Sequence, residues 1–559
     1  MTTNIFSALN TAKLGLQTNQ LAIEVTGNNI ANVQTEGYSK QNVALVNNRP
    51  RRVGLGFLGT GVRAESVTRN FDQFLFNRIL GENGTLGNFN VRRTMFERLE
   101  IILNESAGTS LNNAMSEFFK AFDDLASNPI NPGARTAVVG TAQELANIFN
   151  RIGTSLFQER VALDDRVADE VGQINSALDE IAKLNKIISG DEVNRFPAND
   201  LRDQRDLLVK DLGEKLNVNL VDTNDNQVML TLGNGTPIIV GDQVFRLSTA
   251  PNPDNQGFLD VFADDNAGGT INVTSAIFGG EMKGLLDMRD QEIPNLLDQL
   301  DRLAAGLMEE VNRVHQQGLD LNGAKGGNFF DPLTPTVVPS SLNTGTGIVS
   351  MVNASPSTVN VDKFQMQFTT ATDFDLIDTT TGQNLGSFNF TPGSTFNLVG
   401  GLAVTITGSP AAGDVVDFSV SESAAFNMSV SSAILADTDR IAAGLNSIGD
   451  GQNALEISNL QNRLVFSGSA FSPGSGNSTF DDFYNSLISG LGNGSRSAQT
   501  VAAQQEGVML QLNTQRESIS GVSLDEEMVN LIKFQQAFAA SARMITVIEE
   551  MFDVLQNQI

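Results

Sequence analysis

One histidine and no cysteine limit the chemistry open to this 559-residue chain. Without cysteine there is no disulfide, no thiolate nucleophile and no thiolate metal ligand. A lone His315 cannot supply a metal site of the usual His/Cys composition within one chain. A Ser-His-Asp arrangement would have to use it, yet it lies in a helical run beside Gln316 and Gln317 and no G-x-S-x-G elbow accompanies it. His315 is therefore read as structural. The run GLGFLG at 54–59 matches G-x-G-x-x-G, but a dinucleotide turn needs a strand before it and a helix after. Here NNRPRR precedes and another glycine-rich turn follows, so a structural loop is expected. DLNGAKGGNFFD at 320–331 has the outline of a calcium loop, but Ala324 and Lys325 occupy its fifth and sixth positions, where an oxygen ligand and glycine are needed. It is read as a turn-rich connection. Carboxylate pairs such as Asp164-Asp165 and Asp481-Asp482 are expected on solvated helix faces or at caps. No catalytic residue, cofactor or metal ligand is assigned.

The elements around these residues are long helices and two stretches of strand. Residues 3–30 read as helix, ending near Gly27-Asn28-Asn29, and NVQTEGYSKQ reads as turn and extended chain. Residues 42–70 are strand-like. Residues 71–128 return to helix until Pro129 and Pro132, and a charged helical pattern runs from Ala134 to about Leu216. Within it Arg202, Asp206 and Lys210 recur at spacings of four, which suits a solvated face. Alternation begins at Asn217, with Asn234-Gly235 as a hairpin turn, and ends near Phe278. Helix resumes from MKGLLDMRDQ to HQQG. A second β region spans roughly 335–425, and helix is expected from about Ala433 to the end, with interruptions. Ser478 or Thr479 before Asp481 and Asp482 reads as a capped helix start.

Composition bounds the function from outside. The length suggests about three to five domains. Lys plus Arg number 36 against 64 Asp plus Glu, a formal charge of 36 − 64 = −28. That balance argues against nucleic acid and against anionic membrane surfaces. No signal-peptide-like run opens the chain and no stretch is apolar for about 18 residues, so no membrane span is expected.

The two ends carry a different signal. Ile5, Leu9, Ala12, Leu16, Asn19 and Ile23 fall at alternating spacings of four and three. Leu531, Phe534, Phe538, Ser541, Ile545, Ile548, Phe552, Leu555 and Ile559 alternate between three and four in the same way. A period of 3.5 marks a coiled-coil seam, and a seam at each terminus has its partner in the other. The expected fold class is α+β and multi-domain: an elongated helical stem formed by both chain ends, with two β-rich inserts. The expected division is 1–70 with 508–559 as the terminal region, 71–216 with 279–334 and 426–507 as the helical stem, 217–278 as a small β insert and 335–425 as an outer β domain.

NNIANVQTEGY at 28–38, followed by SKQ, resembles the N-terminal signature of the bacterial flagellar axial proteins. GVSLDEEMVNLIKFQQAFAASARMITVIEEMF at 521–552 resembles their C-terminal segment. The SLDEE lead with KFQQAF is similar to the hook-associated protein 1 family. So are the internal segments PANDLRDQRDLLV, GLLDMRDQ, VHQQGLDLNGAKGGNFF, NALEISNLQN and STFDDFYNSLISGLG. The resemblance touches most of the chain outside the β inserts, and sparse tyrosine is its one departure. It implies a structural subunit rather than an enzyme, assembling into a tube at the distal end of the hook. The implied partners are further copies of the chain, the hook protein, the second hook-associated junction protein, the filament cap protein and an export chaperone on the C-terminal helix. The implied location is extracellular, reached by type III export without a cleaved signal. With the heptads, it marks Asn28, Asn29, Asn32, Gly37, Tyr38 and Leu524 as assembly-interface positions. A hook protein is the alternative within this class. A secreted adhesin or carbohydrate-active protein, acting through 335–425, is the alternative outside it.

Overall fold

Apolar residues recur here at helical spacing over long stretches and at strand spacing over short ones. The computed structural model describes residues 2–557 apart from 54–55, 104–109, 195, 224–225, 266, 355–358 and 469. Its helices are α1 (Thr2–Ala31), α2 (Gln73–Leu103), α3 (Leu111–Ser127), α4 (Pro132–Asp191), α5 (Asn199–Lys215), α6 (Gly280–Asp287), α7 (Ile293–His315), α8 (Ala424–Asn427), α9 (Ser432–Ala436), α10 (Gln452–Asn459), α11 (Phe480–Ser520) and α12 (Leu524–Asn557). At 60 residues, α4 reaches about 90 Å.

Local chemistry sets the helix boundaries. Ser110 caps α3 by accepting from the Asn113 amide. Asn131 caps α4 with Pro132 in the first turn, where the missing N–H costs nothing. Thr479 and Asp482 close a capping box at α11. Between α6 and α7 a π-helical turn at Met288–Glu292 carries Arg289 inward. There its guanidinium binds Asp164 at 2.6 Å and Asp290 at 2.8 Å. Asp164 also accepts from the Leu259 amide, so it is an internal ion-pair partner rather than part of a solvated face. Helices α2 and α5 cross closely enough that a Cβ on Gly87 would lie 2.3 Å from the Glu214 carbonyl oxygen. Only glycine fits there.

The first β region builds two small antiparallel sheets. Strands Val218–Asp222, Val228–Leu232, Pro237–Val240 and Gln243–Val244 form one, and Thr270–Asn272, Leu259–Asp264 and Leu247–Pro251 the other. Gly235 turns the hairpin at φ +89°. The second region holds a five-stranded sheet ordered Thr336–Pro339, Val415–Ser419, Phe364–Phe368, Asp373–Asp378, Gln383–Asn389, beside a three-stranded sheet of Ile348–Asn353, Leu402–Thr407 and Thr395–Asn397. Its phenylalanines point into the core: Phe368, Phe374 and Phe390 are buried and pack ring against ring at 5.8–6.1 Å. One apolar core runs from α2–α4 through both β regions, and among the described residues it includes none from α1 or α12.

The interruptions expected after Ala433 take up most of the chain as far as α11. Residues 437–479 hold short turns, α10 and a two-stranded hairpin at 466–471 before α11 begins. Glycine and serine there deny the backbone a sustained helix. The charge ladder in α5, by contrast, is not the solvated face expected: Asp206 is buried and Arg202 is bound to Glu192 at 2.5 Å.

Candidate functional site

The residues of NNIANVQTEGYSKQ converge on a polar joint where the end of α1, the start of α12 and the first turns of α5 meet. Gly37 turns the chain at φ +80°, with its Cβ position 3.3 Å from Leu207. Asn29, 1% exposed, lies at the centre. Its amide nitrogen donates to the Gln41 carbonyl and to Glu527, each at 2.9 Å. Its oxygen accepts from the Tyr38 hydroxyl at 2.8 Å and the Gln41 amide at 3.0 Å. All four hydrogen-bonding positions of the side-chain amide are filled, which a carboxylate or an apolar side chain cannot reproduce.

Charge pairs surround that amide. Lys40 binds Glu526 at 2.8 Å and Glu527 at 3.1 Å, and its backbone amide donates to Ser520. Burial pulls the Lys40 ammonium down, but its bonds to Glu526 and Glu527 outweigh that and leave it raised. Burial, reinforced by Asp200, Asp203 and Glu527, pushes the Tyr38 phenol far up and keeps it a neutral donor. Arg69, on the returning strand Val62–Arg69, reaches Asp203 and Asp206 at 2.6 Å each and stacks over Phe71 at 4.1 Å. Asp203 also accepts from the Ser39 amide, and Asp200 from the Gln41 side chain. Burial still pushes Asp203 up, although Arg69 and the Ser39 amide pull it down.

Beyond the joint, α1 and α12 pair lengthwise within the chain. The Phe6 and Phe552 rings lie 5.2 Å apart, and the Cβ position of Gly15 is 3.2 Å from the Ser541 hydroxyl. The seam does not wait for neighbouring subunits to find a partner. Ile548 is 5% exposed, while Leu531, Phe534, Phe538, Ile545 and Phe552 are half-buried. On α1 the aliphatic Ile5, Leu9, Leu16 and Ile23 are half-buried, and before Asn29 the fully covered positions are small: Ala12, Thr18, Ala22 and Thr26. Asn28 and Asn32 bond to each other at the end of α1, and Asn28 and Leu524 are exposed. The side chain of Leu555, and Ile559, fall outside the described residues.

Sequence reasoning missed a second stripe on α12. Met544, Val547, Met551 and Val554 repeat at three, four, three and are each about half exposed. The same 3.5 period was legible there, one register away from the seam. It also missed Asp200 and Asp203, which at spacings of three join Asp206 to put three carboxylates on one face of α5.

The other candidates are structural. His315 is fully buried, its Nδ1 2.7 Å from the Gly327 carbonyl while its Nε2 accepts from the Ala442 amide at 2.8 Å. Asp320 accepts from the Asn322 and Ala324 amides, so the 320–331 loop is closed by its own turn. Among the described residues no group of three acidic or histidine side chains could hold a metal. The GLGFLG run falls partly outside the described residues, and its 56–58 portion is a strand paired with Arg51–Val53.

Burial lowers His315 to about 4. The unfolded chain therefore takes up this proton first as pH falls from about 6.5 towards 4, and stability is lost over that window by about 3 kcal/mol. Buried Glu309, raised to about 8 by burial and Glu310, contributes with the opposite sign. Comparing melting temperature against pH for the unchanged protein and His315→Gln isolates the histidine. Between pH 6.5 and 4 the variant should lose less stability than the unchanged protein, and the gap between the two curves should open steadily as the pH falls.

Comparison with known proteins bears on the whole chain. A family model described as the flagellar hook-associated protein FlgK helical domain matches residues 96–330. Models for the flagellar basal body rod FlgEFG protein C-terminal region and the flagella basal body rod protein match 514–558 and 9–38. Flagellar hook-associated protein 1 of Salmonella typhimurium is 30% identical over 567 residues, covering 99% of both chains. The Bacillus subtilis protein of that name is 27% identical, covering 99% of this chain and 98% of its own. The flagellar hook junction protein FlgK from Burkholderia pseudomallei superposes with a TM-score of 0.68 at 21% identity, over 79% of this chain and 100% of that one. That likeness is one of fold.

Proposed function

This chain belongs to the flagellar hook-associated protein 1 family, and from that premise we propose that its copies form a short tubular zone at the distal end of the bacterial hook, on which the filament is built. The observation that carries this reading is the terminal pair. Helices from opposite ends of the chain share one seam, while a second apolar stripe on α12 stays uncovered. A subunit that covers that stripe only by packing beside its neighbours is suited to a closed tube. The full-length likeness to hook-associated protein 1 favours the junction over a hook protein. The buried phenylalanines of 335–425 leave little for sugar stacking and disfavour a carbohydrate-active role.

In this role α1 and α12 line the tube, the seam and joint residues hold that pair in the shape that presents the uncovered stripe to neighbouring copies, and the β regions face outward. The terminal region, helical stem, small β insert and outer β domain keep the boundaries given above. The partners are the hook protein below, the second hook-associated junction protein above, the cap protein during growth and an export chaperone on α12. The chain performs no catalysis. It leaves the cell unfolded by the type III route and works outside it, and a chain without cysteine suits that passage.

The test is a strain lacking the gene. It should make hooks without filaments and shed filament monomers into the medium, and filaments on bare hooks would overturn the reading. A complementing variant refines it. Thr336 and Ser419 are cross-strand partners, so the two ends of the outer domain lie one strand spacing apart. A chain joined from Pro335 to Val420 through a short glycine linker should restore motility. Loss of hook capping by a variant whose helical body stays folded would assign the outer domain to the axial contact.

A further inference from the structure

Basic residues are scarce in this chain, yet several meet at one exposed hairpin. Strands Arg51–Val53 and Gly56–Leu58 pair at the far end of the ladder formed by Gln41–Asn47 and Val62–Arg69. Arg49, Arg52 and Arg63 are all exposed there, and Phe57 and Leu58 project beside them, 75% and 52% exposed. Arg52 stands directly opposite Phe57 in the register. The hairpin is a cationic, apolar tip on a chain of charge −28.

A surface of the opposite kind lies on the last turns of α12. From Met544 to Asn557 there is no basic residue, and Glu549, Glu550 and Asp553 are exposed. Glu550 follows Val547 by three residues and precedes Val554 by four, at the edge of the uncovered stripe. Both surfaces occupy the same end of the terminal pair. The Gly61 Cβ position lies 3.2 Å from Thr11, which sets the hairpin beside the first half of α1, and Phe6 against Phe552 sets the end of α12 at that level. Among the described residues no salt bridge joins them within the chain, and none of Arg49, Arg52, Arg63, Glu549, Glu550 and Asp553 has a charged partner.

We propose that the Arg52–Phe57 hairpin of one copy docks on the Glu550 edge of α12 in the next copy around the tube. Phe57 and Leu58 cover the stripe of Met544, Val547, Met551 and Val554, and the arginines meet the carboxylates. The proposal rests on the tubular assembly above and names one lateral contact within it. A contact of exposed charges and modest apolar area is salt-sensitive and sets partner and register more than total affinity.

The absence of native cysteine makes the test direct. A strain lacking the gene is given Arg52→Cys and Glu550→Cys together, and each alone, and its flagella are oxidised. A disulfide dimer should form in the mixed flagella only. Its absence from assembled mixed flagella, or equal dimer with either variant alone, overturns the contact. Charge reversal provides a second arm. Arg49→Glu with Arg52→Glu should stop purified protein from sedimenting with isolated bare hooks, as should Glu549→Arg with Glu550→Arg, while circular dichroism of the free chains stays unchanged. An equal mixture of the two reversed chains matches its contacts only where the two alternate, whereas one chain carrying all four changes matches at every contact and should sediment again. Retained sedimentation of both reversed proteins removes this contact and leaves the tube intact. Failure of the unchanged protein to sediment would remove the tubular reading itself.

Discussion

Ile548→Asp is expected to separate α1 from α12 and to abolish hook capping while the rest of the subunit melts as before. Among the described residues Ile548 is the most deeply buried position of the α12 seam. A carboxylate there loses the apolar transfer term and is buried without a partner, a cost of several kcal/mol unless it protonates. Among the described residues the apolar core contains none from α1 or α12, so the penalty falls on the terminal pair alone. Hydrogen exchange should show fast amides through α1 and α12 and unchanged protection in α4 and α7. Ile548→Val, which removes one methylene, should cost about 0.5–1.5 kcal/mol and still cap hooks. A body melting temperature that falls with the terminal amides would show that the pair and the body unfold as one unit.

Arg69→Ala is expected to destabilise the joint by about 3–5 kcal/mol at neutral pH, because it strands a buried carboxylate. Asp206 keeps Arg205 at 3.6 Å, but Asp203 loses the one cation it has among the described residues. Burial already raises Asp203 in the intact protein. Without Arg69 its folded pKa rises further above the unfolded value. A group raised in this way contributes stability that is present in acid and lost as pH climbs through the folded pKa. The deficit of Arg69→Ala should therefore be largest at pH 7–8 and shrink towards pH 5. Asp203→Asn in the same chain should recover part of it at neutral pH. Urea melts of the three proteins at the two pH values decide the matter, and a pH-independent deficit would place the loss in the Phe71 stacking instead.

Much of this architecture can be read from period alone. The heptads at both ends, the strand alternation after Asn217 and the Asn234-Gly235 turn are local patterns, and local patterns are what a single sequence displays. The joint was half visible. Its motif residues stood out as a resemblance, but no period reveals why Asn29 is needed. Its partners lie at Gln41 and, 498 residues away, at Glu527. The misread ladder in α5 has the same origin. Alternating charge at spacings of four looks the same whether it faces water or, as Asp206 does, an arginine 137 residues earlier in the chain. The stripe of Met544, Val547, Met551 and Val554 was hidden by its neighbour, since two adjacent apolar registers on one helix merge into a single amphipathic face.

The polar joint has a mechanical consequence. The terminal pair is tied to the body by backbone at two crossings, after Ser39 and after Ser520, and by side-chain bonds from Asn29, Lys40 and Arg69. A load passing between tube wall and outer body is carried by the covalent chain, while the charged side chains set only the angle. Apolar packing fails abruptly when its surfaces part, because dispersion falls off within about an ångström. Ion pairs weaken gradually with separation. A subunit strained at this joint can therefore yield, stay tethered by its two crossings and seat itself again.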